Sequence, residues 1–229
     1  MSNPNYAKLK NQIQETAVRC GRNPAEILLL AVTKEVGVME VIDLHESGCR
    51  DFGENRVPVL EEKFQFFKGK QGHSSDRFRW HFIGPIQRNK VRRIVEMADV
   101  IHSGESLPVL KAIDRICGEL KLRRRVLVEV NIGGEENKHG FQPEELETAW
   151  PEIQAQQNIE LAGFMGMTAL NATEKEAHEQ FALLRSLRDS YLPGGQLSMG
   201  MSHDFQIAIE EGATIVRIGT ALYEGLERF

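Results

Sequence analysis

The chain has 229 residues, 41% of them hydrophobic and 7% aromatic, enough to bury one barrel-sized core. A formal net charge of -5 gives no electrostatic footprint for nucleic acid or an anionic membrane surface. Cys20, Cys49 and Cys117 are an odd, widely spaced set without a C-x-x-C, which reads as free thiols in a reducing compartment and makes the cytoplasm the expected location. Met1 to Asn5 lacks a basic stretch leading into an apolar run, and nothing approaches the ~18 apolar residues of a membrane span.

In chain order, a polar helix is expected from Tyr6 to Cys20. Short apolar or β-branched runs then alternate with helical patterns. The runs are Ile27 to Thr33, Asp51 to Asn55, Trp80 to Gly84, Val100 to Ser103, Val126 to Ile132, Ile159 to Met167, Gln196 to Met201 and Ile215 to Thr220. Between them, sets such as Ala177, Phe181, Leu184 and Leu187 recur at three- and four-residue spacing and form one apolar helical face. Lys68 to Arg79, rich in glycine, serine and charge, reads as a surface loop between the second strand's helix and the third strand. Eight parallel strands with intervening helices satisfy every sheet edge by closing on themselves, whereas an open doubly wound sheet leaves two edges exposed. The fold class predicted is therefore α/β, a single (β/α)8 TIM-type barrel over residues 1–229 with an extra N-terminal helix; the open sheet is the second choice.

In such a barrel the reactive groups gather where the strands end. Lys34 follows the first run, Asn55 ends the second, Asn131 lies near the end of the fifth, Ser202 follows the seventh, and Arg217, Gly219 and Thr220 finish the eighth. Lys34 comes after Leu28-Leu29-Leu30-Ala31-Val32, which places its amine at a strand top walled by hydrocarbon, where desolvation favours the neutral nucleophile; a solvated loop lysine is the alternative. Ser202, Gly219 and Thr220 offer hydroxyls and backbone N–H groups in the loops after strands 7 and 8, the usual phosphate site of this fold. Arg217 shares a strand face with Gly219; it either pairs with a carboxylate such as Glu129 or presents its fork of donors to a ligand. His81 reads as a core or rim histidine, and Arg88, Lys90, Arg92 and Arg93 as a solvated helix face. No histidine, cysteine or carboxylate set has metal-site spacing, so no metal is predicted.

The stretches AVTK (Ala31 to Lys34), FGEN (Phe52 to Asn55), WHFIGPIQRNK (Trp80 to Lys90), VNIGGEENKHG (Val130 to Gly140), LSMGMS (Leu197 to Ser202) and VRIGTALY (Val216 to Tyr223) resemble, in this order, the pyridoxal phosphate homeostasis proteins. That family is similar to the N-terminal barrel of bacterial alanine racemase, a fold-type III architecture for pyridoxal 5′-phosphate (PLP). The resemblance implies PLP held as a Schiff base on Lys34, its phosphate on Ser202, Gly219 and Thr220, Arg217 facing the pyridine nitrogen and Asn55 beside the ring. It further implies an intracellular role in buffering or delivering PLP to PLP-dependent apo-enzymes without catalytic turnover, as a monomer or weak dimer. His203 after Ser202 and Glu224 after Tyr223 depart from the family pattern. The alternative is a PLP-dependent amino-acid racemase. Racemases use a second acid/base opposite the lysine, a tyrosine from an additional C-terminal domain. Here the chain ends soon after the last strand, and Tyr6, Tyr191 and Tyr223 are expected on the extra helix, at the foot of the barrel and in the outer layer.

Overall fold

A computed structural model describes residues 3–68, 78–135 and 139–226 of the chain. The strands are β1 (Leu28–Val32), β2 (Asp51–Glu54), β3 (Arg79–Phe82), β4 (Val100–Gly104), β5 (Arg124–Val130), β6 (Ile159–Gly166), β7 (Gln196–Ser198) and β8 (Ile215–Ile218). All pair in parallel in sequence order, and β1 closes on β8 with Leu30 opposite Arg217. The helices are α1 (Pro4–Arg19), α2 (Val38–Glu46), α3 (Val57–Lys68), α4 (Val91–Met97), α5 (Leu107–Leu120), α6 (Glu145–Gln154), α7 (Glu174–Tyr191), α8 (Phe205–Glu210) and α9 (Thr220–Tyr223). The closed barrel predicted from the alternation is thus the architecture, and no open sheet edge is left.

α1 starts where Pro4 cannot extend the chain backwards as helix and Asn3 caps it, the side-chain oxygen accepting from Tyr6 N at 3.0 Å. Its buried residues Leu9, Ile13 and Ala17 form one stripe, and the helix packs on α8 and α9. α9 is a single turn, so α1 completes the outer layer there.

All the predicted strands but the fourth, which extends to Gly104, run too far at their C-terminal ends. β7 stops at Ser198 rather than Met201, and β8 at Ile218 rather than Thr220. At the mouth the chain leaves the sheet to build loops: Gly200 turns at φ +90°, where a side chain would be strained and a Cβ would sit 2.5 Å from the Ala208 Cβ. Thr220, read as the last strand residue, is the first residue of α9. Of the predicted Lys68–Arg79 loop, residues 69–77 lie outside the described residues.

Strand alternation sends one set of side chains outward under the helices and another into the barrel. Outward-facing Phe52 and Trp80 join Phe67 and Phe78 in a stacked aromatic group. Val100, Leu127, Ala162 and Met165 of β4, β5 and β6 form a separate apolar cluster, and Asp51, His81, His102, Ser198 and Arg217 of β2, β3, β4, β7 and β8 are joined by hydrogen bonds. The barrel interior therefore holds an apolar cluster and a hydrogen-bonded polar one. Arg92 and Arg93 pair with Glu119 and Glu61 on neighbouring helices, as a solvated basic face does. Among the described residues no helix is long and apolar enough to cross a membrane.

Candidate functional site

The mouth of the barrel holds a cavity of about 350 Å³, within the range of small-molecule sites. All six residues singled out from the sequence line it: Lys34, Asn55, Ser202, Arg217, Gly219 and Thr220. They come from the loops after β1, β2, β7 and β8 and from β8 itself. Val32, Ile83, Met165 and Met167 add an apolar wall. Asn131, also considered at the sequence level, is not among the lining residues; its amide donates to Glu135 O at 2.8 Å.

Lys34 is exposed at the rim, in a turn, and is not walled by hydrocarbon as its place after an apolar run predicted. The strand ends at Val32, and Val36 N donates back to Thr33 O at 3.1 Å, which swings the next residue out of the sheet. Its backbone is nevertheless fixed: Arg56 Nη2 donates to Lys34 O at 3.0 Å. Just below, Lys63 of α3, buried at 2% exposure, donates to Thr33 O at 2.7 Å and to Glu54 Oε1 at 2.6 Å, while Thr33 Oγ1 donates to the same carboxylate oxygen at 2.5 Å. Thr33 and Glu54 immediately precede Lys34 and Asn55. One buried ion pair thus pins the ends of β1 and β2 together. Sequence reasoning missed it, although a glutamate facing a helix lysine across an apolar layer is visible once the strand's outward positions are known.

Asn55 presents a buried Oδ1 with no hydrogen-bond partner among the described residues, a cost that a ligand donor would relieve. Its backbone leaves room only for glycine at position 84, where a Cβ would lie 2.1 Å from Asn55 O. Ser202 Oγ accepts from Ala221 N at 3.4 Å, so the loops after β7 and β8 meet. Asp204, overlooked in the sequence, holds that turn: Met201 N and Thr168 Oγ1 donate to its two carboxylate oxygens at 2.6 and 3.0 Å.

Arg217 is buried and makes no ion pair with Glu129. Its Nη1 donates to Ser198 O at 2.6 Å and Ser198 Oγ at 2.8 Å, and its Nη2 to Gly166 O at 3.0 Å. Burial pulls its pKa down to about 10, against the attraction of Glu129 and Asp204, so it remains a cation at neutral pH. Tyr223, expected in the outer layer, instead lines the cavity and is buried. α9 begins at Thr220, and three residues on along a helix return to the same face.

Glu129 is pushed up to about 7, by burial first and by the Glu105 carboxylate second, with Arg217 opposing. A carboxyl that holds its proton better folded than unfolded contributes most below the unfolded value of about 4.5, and that contribution is lost as pH rises through about 7. Glu129→Gln is therefore expected to gain on the wild type between pH 5 and pH 8, by about 3 kcal/mol. Urea denaturation of both proteins at the two pH values measures the gap; an equal gap at both would mean Glu129 ionises alike in the folded and unfolded chain. Among the described residues no group of three or more histidine, cysteine or acidic side chains is placed to hold a metal.

A parallel barrel with its polar groups gathered at one mouth is the architecture of the alanine racemase N-terminal domain, and the family model of that description matches residues 5–227. Among curated proteins, the pyridoxal phosphate homeostasis protein of Pseudomonas aeruginosa is 41% identical over 96% of this chain and 93% of its own length. The structure of PipY of Synechococcus elongatus with PLP bound is 31% identical, with a TM-score of 0.78 over 92% of this chain and 99% of that one. Alanine racemase of Clostridium difficile, at 19% identity and a TM-score of 0.70 over 93% of this chain and 56% of that one, shares the fold. The chain belongs to the pyridoxal phosphate homeostasis protein family.

Proposed function

We propose that the mouth cavity binds PLP, attached covalently through the Lys34 amine, and that the protein stores the cofactor and passes it to PLP-dependent apo-enzymes. The observation that carries this is the convergence of Lys34, Asn55, Ser202, Arg217, Gly219 and Thr220 on one cavity. The donor set fits the group. Ser202 and Thr220 offer hydroxyls, and the Thr220 backbone N–H at the start of α9 precedes the first intrahelical acceptor, suited to a phosphate. The buried, unpartnered Asn55 Oδ1 accepts, and the apolar wall suits an aromatic ring.

Bound PLP supplies an electrophilic carbonyl carbon and a ring able to take up electrons. The chain's own residues favour retention over turnover. Lys34, at an exposed rim, is accessible to an exchanging amine. Arg217 carries donors only, so it can hydrogen-bond an acceptor opposite it but take no proton from it; an acceptor so held stays unprotonated, which weakens the ring's pull on electrons.

One observation favours a second reading: Tyr223 lines the same cavity as Lys34, giving a candidate second acid/base for racemisation. The two are separated by loading the protein with PLP and incubating it with L-alanine in D2O. The storage reading expects an adduct on the Lys34 peptide after borohydride reduction and neither D-alanine nor α-deuteration. Turnover in the ~1–10³ s⁻¹ range of enzymes, lost in Tyr223→Phe, would establish the racemase instead.

A further inference from the structure

A line of hydrogen bonds runs through the barrel from the cavity to the opposite end. Arg217 Nη1 meets Ser198 Oγ at 2.8 Å, Ser198 Oγ meets His102 Nδ1 at 2.8 Å, His102 Nε2 meets His81 Nδ1 at 2.9 Å, and His81 Nε2 meets Asp51 Oδ1 at 3.0 Å. Arg79 then holds both Asp51 oxygens, at 2.7 and 2.5 Å. His81, His102 and Ser198 are all buried, at 2% exposure or less. Both ends of the line have fixed polarity, since a guanidinium only donates and a carboxylate only accepts.

Those ends settle the direction of every link. Ser198 Oγ accepts from Arg217, so its single proton is free to go to His102 Nδ1. His102 must then carry its proton on Nε2 and donate to His81 Nδ1, and His81 in turn donates from Nε2 to Asp51. Each polar atom of the line is satisfied, and each imidazole needs one proton. In the reverse direction His81 would need two protons to face both His102 and Asp51, and the Ser198 hydroxyl proton would be left without its histidine acceptor in a dry interior, at the full cost of an unmade bond. A second proton on His102 is opposed by burial first, and then by His81, Arg217 and Arg125.

We propose that Ser198, His102, His81 and Asp51 form a one-way relay, with both histidines neutral Nε2–H tautomers, that positions the Arg217 guanidinium in the cavity. Arg217 is the residue that meets the ligand; the other four are positioning residues that fix its plane by consuming one of its donors in a chain anchored at Asp51 on β2. The effect on bound cofactor rests on the functional reading above, whereas the tautomers and the fixing of Arg217 do not.

The test begins with the cofactor-free protein carrying ¹⁵N-labelled histidine and arginine. Long-range proton–nitrogen spectra at pH 7 should show for both His81 and His102 one unprotonated Nδ1 and one protonated Nε2, and slowly exchanging side-chain N–H signals for Arg217. A doubly protonated His81, or an Nδ1–H form of either ring, would overturn the relay. Ser198→Ala should shift the His102 Nδ1 signal and speed exchange at Arg217, while Ser198→Thr, which keeps the hydroxyl, should restore both. After loading with PLP, Ser198→Ala should also move the visible absorption band and weaken affinity about tenfold, the loss of one hydrogen bond to a charged group. Unchanged Arg217 exchange and His102 shifts in Ser198→Ala would reject positioning. Wild-type protein that takes up no PLP would reject the functional reading while the unliganded spectra still decide the relay.

Discussion

Lys34→Ala is expected to abolish covalent capture of PLP, with the mass adduct after borohydride reduction falling to background. Lys34 is the only lysine among the described residues that line the cavity. Lys63, which bonds the carbonyl of the residue just before Lys34, has its Nζ buried and committed to Thr33 O and Glu54 Oε1, so it has no lone pair directed at a ligand. Arg217 offers no nucleophile either. Binding itself should weaken without vanishing, because Ser202, Gly219 and Thr220 sit on other loops. Two or three hydrogen bonds to a charged group, each of roughly 1.5–3 kcal/mol, set against the cost of association, leave an affinity in the ~micromolar to millimolar range. Equilibrium dialysis measures that residue of binding, and intact mass after reduction measures the adduct. An adduct of wild-type yield on Lys34→Ala would place the anchor elsewhere.

The largest effect on the scaffold is expected from Lys63→Met. Removing the ammonium leaves the Glu54 carboxylate fully buried, with Thr33 Oγ1 as its remaining donor. Stranding one charge of a buried pair costs about 3–5 kcal/mol, which for a chain of this size lowers Tm by about 10 °C. The Glu54→Leu and Lys63→Met double variant should recover most of that, since an apolar pair of similar volume needs no desolvation of charge. Both variants loosen the ends of β1 and β2, so even the stable double variant should bind PLP less tightly than wild type. Thermal unfolding and dialysis separate the two effects. A Lys63→Met protein within about 2 °C of wild type would mean that the Glu54 carboxylate finds another donor or takes up a proton.

The alternation of apolar runs with helical periodicity determined the fold class, because eight strand-sized segments in series with helices between them have one economical closure. The same rule placed Lys34, Asn55, Ser202, Arg217, Gly219 and Thr220 together without any knowledge of distance: strand ends converge whatever the details of packing. The start of α1, expected at Tyr6, lies at Pro4; Asn3 and Pro4 cap and begin a helix by their own geometry, so that boundary was a local signal left unread.

Only the tertiary structure decided which way side chains point and what they meet. Tyr223 was misplaced because its face depends on where α9 begins, and Thr220 was read as strand. The exposure of Lys34 follows from a turn that the apolar run before it does not encode. Glu129 seemed a partner for Arg217 by charge, yet the carbonyls of Gly166 and Ser198 satisfy the guanidinium instead. The Asp51–His81–His102–Ser198–Arg217 line was invisible for a related reason. Its members are inward positions on five strands, but from 19 to 96 residues separate hydrogen-bonded neighbours. Period-two alternation marks each as facing inward, whereas only the closed barrel with its shear brings β4 and β7 within one hydrogen bond across the interior.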